Sequence, residues 1–299
     1  MKKFTTVGLG EVLWDIFPEG RQLGGAPANF AYMTNLLGDE GVVASRVGGD
    51  VLGEEASQRL ERLGLETSCI QVDATCRTGI VQVAVDDKGQ PTFQIAAPVA
   101  WDCFEWTPAW HALAQRADAV CFGSLAQRSP QSRQTIHLFL QTIRPETTRI
   151  FDVNLRQSFY SAQVLAESAK HADIIKLNND ELPTVVQLLG FPFHDEESAS
   201  HWILDTFHIK LVCITRGAKG SLLVSEYAKH EHPGIRVQVA DTVGSGDAFT
   251  AALVYHYLRR DSLATMNEAA NRMGSWVASQ TGATPARDEA QLELIRSAE

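Results

Sequence analysis

No C-x-x-C pair occurs in the 299-residue sequence, and its five cysteines (69, 76, 103, 121 and 213) are scattered and odd in number. That excludes a zinc knuckle and a disulfide framework. No apolar run is long enough to span a bilayer. The N-terminal MKKFTTVGLGEVLWDIF meets Glu11 and Asp15 before a signal-peptide core can form. Basic charge is in deficit: 26 Lys and Arg against 36 Asp and Glu leave a formal net charge of -10. A broad nucleic-acid or anionic-membrane surface is therefore not expected, although a local basic pocket remains compatible with this balance. RGAKGS (216–221) has the wrong spacing for a P-loop, and GLGEVL (8–13) lacks the third glycine of a dinucleotide fingerprint. Neither H-E-x-x-H nor G-x-S-x-G appears, and the nine histidines are dispersed without ligand spacing. Metalloprotease, serine hydrolase and Rossmann dehydrogenase chemistry fall away. A reducing cytoplasm is the expected location.

What is present is an ordinary globular composition, 44% apolar and 21% charged, at a length near the upper limit for one hydrophobic core. Short β-branched runs at 42–47, 119–124, 149–154, 173–178 and 210–215 predict buried strands. Helical patterns at 27–37, 53–63, 131–143, 161–170, 179–189 and 197–207 alternate with them, and 246–260 and 264–280 carry the clearest amphipathic patterns. This alternation predicts an α/β fold, with a mostly parallel sheet between two helical layers. Two segments break the rhythm. EVLWDIFPEG (11–20) is followed by no helix, and 69–98 reads as strand, turn, strand, turn, strand, with DDKGQ and its Gly89 as a hairpin loop. Together they predict a small antiparallel sheet projecting from the main layer. Its apolar face has to cover something or pair with a second copy.

Two glycine-rich stretches are the chemical candidates. In DTVGSGDAFT (241–250), Gly244, Ser245 and Gly246 precede Asp247 at the start of a helix. Backbone N–H groups at such a start hold an anion. An adjacent carboxylate makes sense if it accepts a proton from a hydroxyl while those amides hold the charge on a transferring phosphoryl group. The plainer reading makes Ser245 an N-cap and Asp247 a dipole-stabilising acid, and alone it is preferred. In QLGGAPANFAYMTNLLG (22–38), Gly24 and Gly25 precede Pro27, which suits a first helical turn, and Asn29 is placed to meet a polyhydroxy ligand. Here too the plainer reading, a glycine loop before a core helix, suffices alone.

As a pair the stretches mean more. GGAPAN near one end and DTVGSGDAFTAA near the other resemble the two signatures of the ribokinase, or PfkB, family of carbohydrate kinases. SRVGGDVLGE (45–54), KLNNDE (176–181), ITRGAKGS (214–221) and NRMGSWVASQTGATP (271–285) follow in order, so the resemblance covers the whole chain. GEVLWDIFP (10–18), GSLAQRSPQSR (123–133) and FDVNLR (151–156) are most similar to the fructokinase branch. The resemblance implies one ribokinase-like three-layer α/β/α kinase domain over 1–299, with lid segments at about 11–20 and 67–98. It implies ATP-dependent phosphorylation of a sugar, D-fructose first, with 2-keto-3-deoxygluconate or a nucleoside as alternatives. A sugar- or nucleotide-sensing protein that lost the reaction is a third reading, against which an intact Asp247 weighs.

The resemblance also implies roles. Asp247 is the base, and the amides of Gly244, Ser245 and Gly246 form the anion hole; many relatives carry alanine where Ser245 stands. Asp15, Gly24, Gly25 and Asn29 hold the sugar. Asn178 and Glu181 match an N-x-x-E motif that positions Mg2+, partly through water; the same two residues also read as a capping box. Thr215, Gly217 and Gly220 match the nucleotide loop, Arg216 meets a phosphate or solvent, and Asn271 lies near the adenine. Asp241 and the Gly282 loop match a monovalent-cation site for K+ found in many members. Arg156 either forks a substrate carboxylate, as a sugar-acid kinase needs, or braces the lid or binds a phosphate. A homodimer formed through the lid is the expected assembly.

Overall fold

The computed structural model of the protein describes residues 2–18, 20–85 and 91–298. The chain opens with strand β1 (Thr5–Leu9), the hairpin β2 (Leu13–Phe17) and β3 (Gly20–Gly24), helix α1 (Ala26–Leu37), β4 (Glu40–Gly48) and α2 (Val51–Arg62). Strands β5 (Ile70–Asp73), β6 (Gly79–Val85) and β7 (Pro91–Ile95) follow, then α3 (Pro108–Arg116), β8 (Ala119–Phe122), α4 (Pro130–Thr142), β9 (Thr148–Asp152) and α5 (Ala162–Lys170). Next come β10 (Ile174–Asn178), α6 (Glu181–Leu188), α7 (Glu196–Phe207), β11 (Leu211–Thr215), β12 (Ser221–Ser225) and β13 (Lys229–His232). Helices α8 (Ser245–Arg259), α9 (Leu263–Ala278) and α10 (Glu289–Arg296) close the chain.

Nine strands form the main sheet in the order β13-β12-β11-β10-β9-β8-β1-β4-β5. All its pairs are parallel except β11–β12 and β12–β13. The five buried runs expected as strands are strands. They read as continuous apolar segments because both faces are covered. One face packs Val7, Leu9, Val120, Phe122, Phe139 and Ile203 into a core under α3 to α7. The other packs Val43, Phe30, Met33, Leu253, Met273 and Val277 under α1, α2 and α8 to α10. The expected three layers are present. Strand order reverses at β1, which lies between β4 and β8. A crevice therefore opens beyond the carboxyl ends of β1 and β8, where an open α/β sheet places its ligands.

The second sheet has the order β3-β2-β6-β7, with antiparallel outer pairs and a parallel β2–β6 centre. It begins later than the sequence suggests. Ile70–Asp73 joins the main sheet instead, pairing with Ser45–Gly48 of β4. The reason is length: β1 pairs with Glu40–Ala44, and the rest of this nine-residue strand offers a free edge to β5. The expected DDKGQ loop lies outside the described residues. Strand β3 was not anticipated, because GRQLG carries one bulky apolar side chain and glycines at both ends. Helix α3 was likewise unforeseen; in its nine residues only Trp110, Leu113 and Ala114 are buried. The lid rests on its own chain: Trp14 Nε1 donates to the Leu52 carbonyl at 2.9 Å, and Arg21 lies over the Trp14 ring and pairs with Glu55. Among the described residues no helix is long and apolar enough to cross a membrane.

Candidate active site

The two glycine-rich stretches meet. Helix α1 packs against α8, and Asn29 Nδ2 in the first turn of α1 donates to Asp247 Oδ2 in the first turn of α8 at 2.8 Å. Asp247 lines a pocket at the β1/β8 crevice together with Glu11, Pro27, Gly123, Asp152 and Asn154. Burial pushes the Asp247 carboxyl up to about 6, and neighbouring Asp152 adds to this; Asn29, Lys176 and Arg156 pull the other way. At neutral pH it is ionised, and its affinity for a proton exceeds that of an ordinary aspartate.

Gly244, not Ser245, caps α8. It adopts φ 76°, and a Cβ there would meet the Ala283 Cβ at 2.5 Å, so a side chain is excluded twice over. Ser245 is the first helical residue, and its hydroxyl donates back to the Thr242 carbonyl at 2.8 Å. Its amide also points to that carbonyl, at 3.3 Å. Of the three expected anion-hole donors, this one has a long bond within the protein.

Asp15 on β2 faces Gln22 on β3, and its carboxylate leans diagonally toward Gly24. A Cβ at Gly24 would come within 2.6 Å of Asp15 Oδ2, so the glycine leaves room for the carboxylate. Burial raises Asp15 to about 6, against the pull of Arg156. Gly25 caps α1 with φ 116°. Arg156 is exposed, and its charge acts on Glu11, Asp15 and Asp247 together.

Asn178 and Glu181 form a reciprocal pair. Asn178 Oδ1 accepts from the Glu181 amide at 2.8 Å, and Glu181 Oε2 accepts from the Asn178 amide at 2.9 Å. Glu181 Oε1 accepts from the Leu155 amide at 2.8 Å, which ties α6 to the FDVNLR loop. The capping reading of this motif is thus present. Thr215 ends β11, and Gly217 and Gly220 follow it with φ 56° and 83°. Asp241 Oδ2 accepts from the Gly282 amide at 3.2 Å, so these two expected partners are in contact.

Two of the expected residues already have partners within the protein. Arg216 is half-buried, and its guanidinium is engaged by Glu196, at 2.8 Å from Nε, and by Glu231. Asn271 is buried, and its amide nitrogen donates to Ser221 Oγ and the Asn267 carbonyl, both at 2.7 Å. It fastens α9 to β12 rather than presenting that amide to a base.

Four residues beneath the site were not singled out from the sequence. Lys176 Nζ, buried, lies 3.0 Å from both Asp152 oxygens, and Thr250 Oγ1 of α8 donates to Asp152 Oδ2 at 2.9 Å. A Cβ on Gly246 would stand 3.2 Å from Lys176 Nζ, so this ammonium lies directly behind the glycine turn. The fourth is Glu11, 5% exposed, which burial pushes up to about 7.

Residues 19–290 match the description "pfkB family carbohydrate kinase". The chain belongs to the PfkB family of carbohydrate kinases. The PfkB chain is 31% identical to a fructokinase of Salmonella typhimurium over 261 residues, 82% of each protein. An uncharacterized sugar kinase from Pyrococcus horikoshii in complex with ATP superposes with a TM-score of 0.82 at 27% identity, covering 98% of this chain and 99% of that one. A double-mutant fructokinase from Vibrio cholerae O395, in fructose, ADP and potassium ion bound form, gives a TM-score of 0.82 at 25% identity over 99% and 98% of the chains.

The position of Glu11 in this kinase carries a stability signature. Between its ordinary 4.5 and about 7, the folded state keeps a proton that the unfolded chain releases. Stability therefore falls as pH rises through that window and levels off above it. Glu11→Gln should abolish this slope and gain up to about 3 kcal/mol at pH 8. Melting curves at pH 5 and pH 8 check it: the variant's gain in Tm should be larger at pH 8. Equal gains would show that Glu11 is not held protonated.

Proposed function

We propose that this carbohydrate kinase is an ATP-dependent fructokinase that makes fructose 6-phosphate. The observation that carries this reading is the acidic lining of the pocket, where Asp247, bonded to Asn29 at 2.8 Å, stands with Glu11 and Asp152. An anionic sugar would be repelled by the carboxylates of such a pocket, whose pull on exposed Arg156 leaves its guanidinium a poorer fork for a substrate carboxylate. A neutral polyol instead finds acceptors in the carboxyls and donors in Asn29 and Arg156. Similarity to fructokinases points the same way.

In this reading Asp247 orients the accepting hydroxyl and takes its proton as the bond to phosphorus forms. Amides at Gly244 and Gly246, backed by the Lys176 charge, stabilise the transferring group. Asp15 and Asn29 hold the sugar, with Gly24 and Gly25 keeping the backbone close. Thr215, Gly217 and Gly220 line the nucleotide's path. Glu181 and Asn178 would hold Mg2+ through water. That fits a carboxylate whose oxygens each have a single amide partner and retain a lone pair, and an ion that usually keeps several waters. Asp241 and the Gly282 loop supply the oxygen donors that suit K+. Bound Mg2+ would neutralise phosphate charge. Such an enzyme works in the cytoplasm, where ATP is available.

An ATP-consumption assay across fructose, ribose, a nucleoside and 2-keto-3-deoxygluconate tests the substrate. Fructose should give a kcat/KM at least tenfold above the sugar acid, roughly the discrimination of one unfavourable charge contact. A higher value on the acid overturns the assignment.

The same reading pairs two copies through the lid. Ile16, Leu23 and Ile80 keep part of their surface beside Trp14. Burying such surface contributes about 25 cal/mol per Å². Light scattering at micromolar concentration should return twice the chain mass, and a monomer with and without sugar counts against it.

A further inference from the structure

Cys76 and Cys103 stand apart from the kinase site. Their Sγ atoms lie 3.5 Å apart, and both side chains are half-buried, within reach of a small reagent. Cys69, Cys121 and Cys213 are buried. Cys76 stands three residues before β6, and Cys103 follows β7, so the pair brackets the two lid strands that come from the middle of the chain. Both backbones are anchored to one arginine of β4. The Cys76 amide donates to Asp73 Oδ1 at 2.8 Å, and Asp73 pairs with Arg46 at 2.9 Å. Arg46 Nη1 also donates to the Cys103 carbonyl at 2.8 Å. We propose that Cys76 and Cys103 are a reversible disulfide site that staples the root of the lid.

A disulfide needs about 2.05 Å between sulfurs, so the two atoms have to close by roughly 1.5 Å, within the reach of side-chain rotation on fixed backbones. A metal is the other use of this cluster, since Asp73 lies beside the thiols. It is disfavoured because the Asp73 carboxylate already accepts from Thr75, Cys76 and Arg46, and the guanidinium repels a cation. The oxidant is a small disulfide, R–S–S–R. The Cys76 thiolate attacks one sulfur and expels RS⁻, which takes up the proton Cys76 lost. Cys103 then attacks the Cys76 sulfur of the mixed disulfide, and a second RS⁻ leaves with the second proton. Two protein thiols are oxidised and one reagent disulfide is reduced to two thiols. Burial and the adjacent Cys76 hold the Cys103 thiol up at about 11, which makes it the poorer first attacker; in the second step its 3.5 Å separation from the Cys76 sulfur offsets the low thiolate fraction.

The full-length protein is incubated with excess oxidised glutathione, alkylated after denaturation, and mapped by mass spectrometry. The expected product has lost two hydrogens, yields a Cys76–Cys103 linked peptide and leaves three alkylatable thiols of the five. Closing the loop between residues 76 and 103 should raise Tm by about 5 °C, reversed by dithiothreitol. Cys76→Ser, expected to fold because the side chain is half-buried, should show no rise. Five free thiols, a glutathione adduct that persists on either cysteine, zinc retained through gel filtration, or the same Tm rise in Cys76→Ser would each overturn the proposal.

Discussion

Asp247→Asn is expected to lower kcat by ~10²–10⁴, the range for loss of a positioned general base. The amide keeps the shape of the carboxylate and can still accept from Asn29, whose bond to Asp247 is 2.8 Å in the parent. It cannot take a proton. Sugar and ATP dissociation constants should change little, because the backbone amides and the other polar contacts are untouched. The pH profile provides a second check. With the carboxyl at about 6, turnover of the parent should fall roughly tenfold per pH unit below that value as the base protonates. The variant should lose that limb. A capping role for Asp247 makes the opposite forecast: turnover near normal and a stability loss of about 1 kcal/mol or less. Burial raises this carboxyl, so at neutral pH the substitution should leave Tm unchanged or higher. Near-normal turnover would show that the base lies elsewhere.

Lys176→Met should be the most damaging single change to the fold near the site. It removes the partner of a buried carboxylate, leaving Asp152 with Thr250 as its remaining side-chain donor. Breaking a buried ion pair in this way costs about 3–5 kcal/mol, whereas replacing both charges is often close to neutral. The double variant Lys176→Met with Asp152→Asn should therefore recover most of the lost stability, and denaturant unfolding of the four proteins in the cycle measures the coupling. Additive losses would mean the pair contributes nothing together. The ammonium also lowers the proton affinity of Asp247. Its loss should move the acid limb of kcat to higher pH in whatever fraction folds.

The sequence could reveal GSGD and GGAPAN because their chemistry needs a bare backbone, and glycine is a visible requirement. Gly244 illustrates this: its positive φ and its contact with Ala283 leave no alternative residue. The parallel sheet was legible for a related reason, since strands buried on both faces are unbroken apolar runs. Lys176 and Asp152 were hidden inside two of those runs, where a charge is tolerated only through a partner 24 residues away that no local pattern records. Adjacency to a glycine loop suggested phosphate or solvent for Arg216, and no local pattern records that Glu196 arrives from α7 and Glu231 from β13. Strand β5 went to the main sheet because the length of β4, a tertiary matter, left an edge to fill.

The hydrogen bond between Asn29 and Asp247 joins residues 218 positions apart, and Tyr32 bonds the Pro285 carbonyl across 253. Helix α1 thus waits for a partner made 218 residues later. A chain still on the ribosome can make β1, α1 and β4, yet the Asn29–Asp247 contact is not assembled until residue 247 has emerged and α8 has docked. The packing of α1 on α8 is therefore a late event in synthesis, and the first turn of α1 stays without its Asp247 acceptor until then.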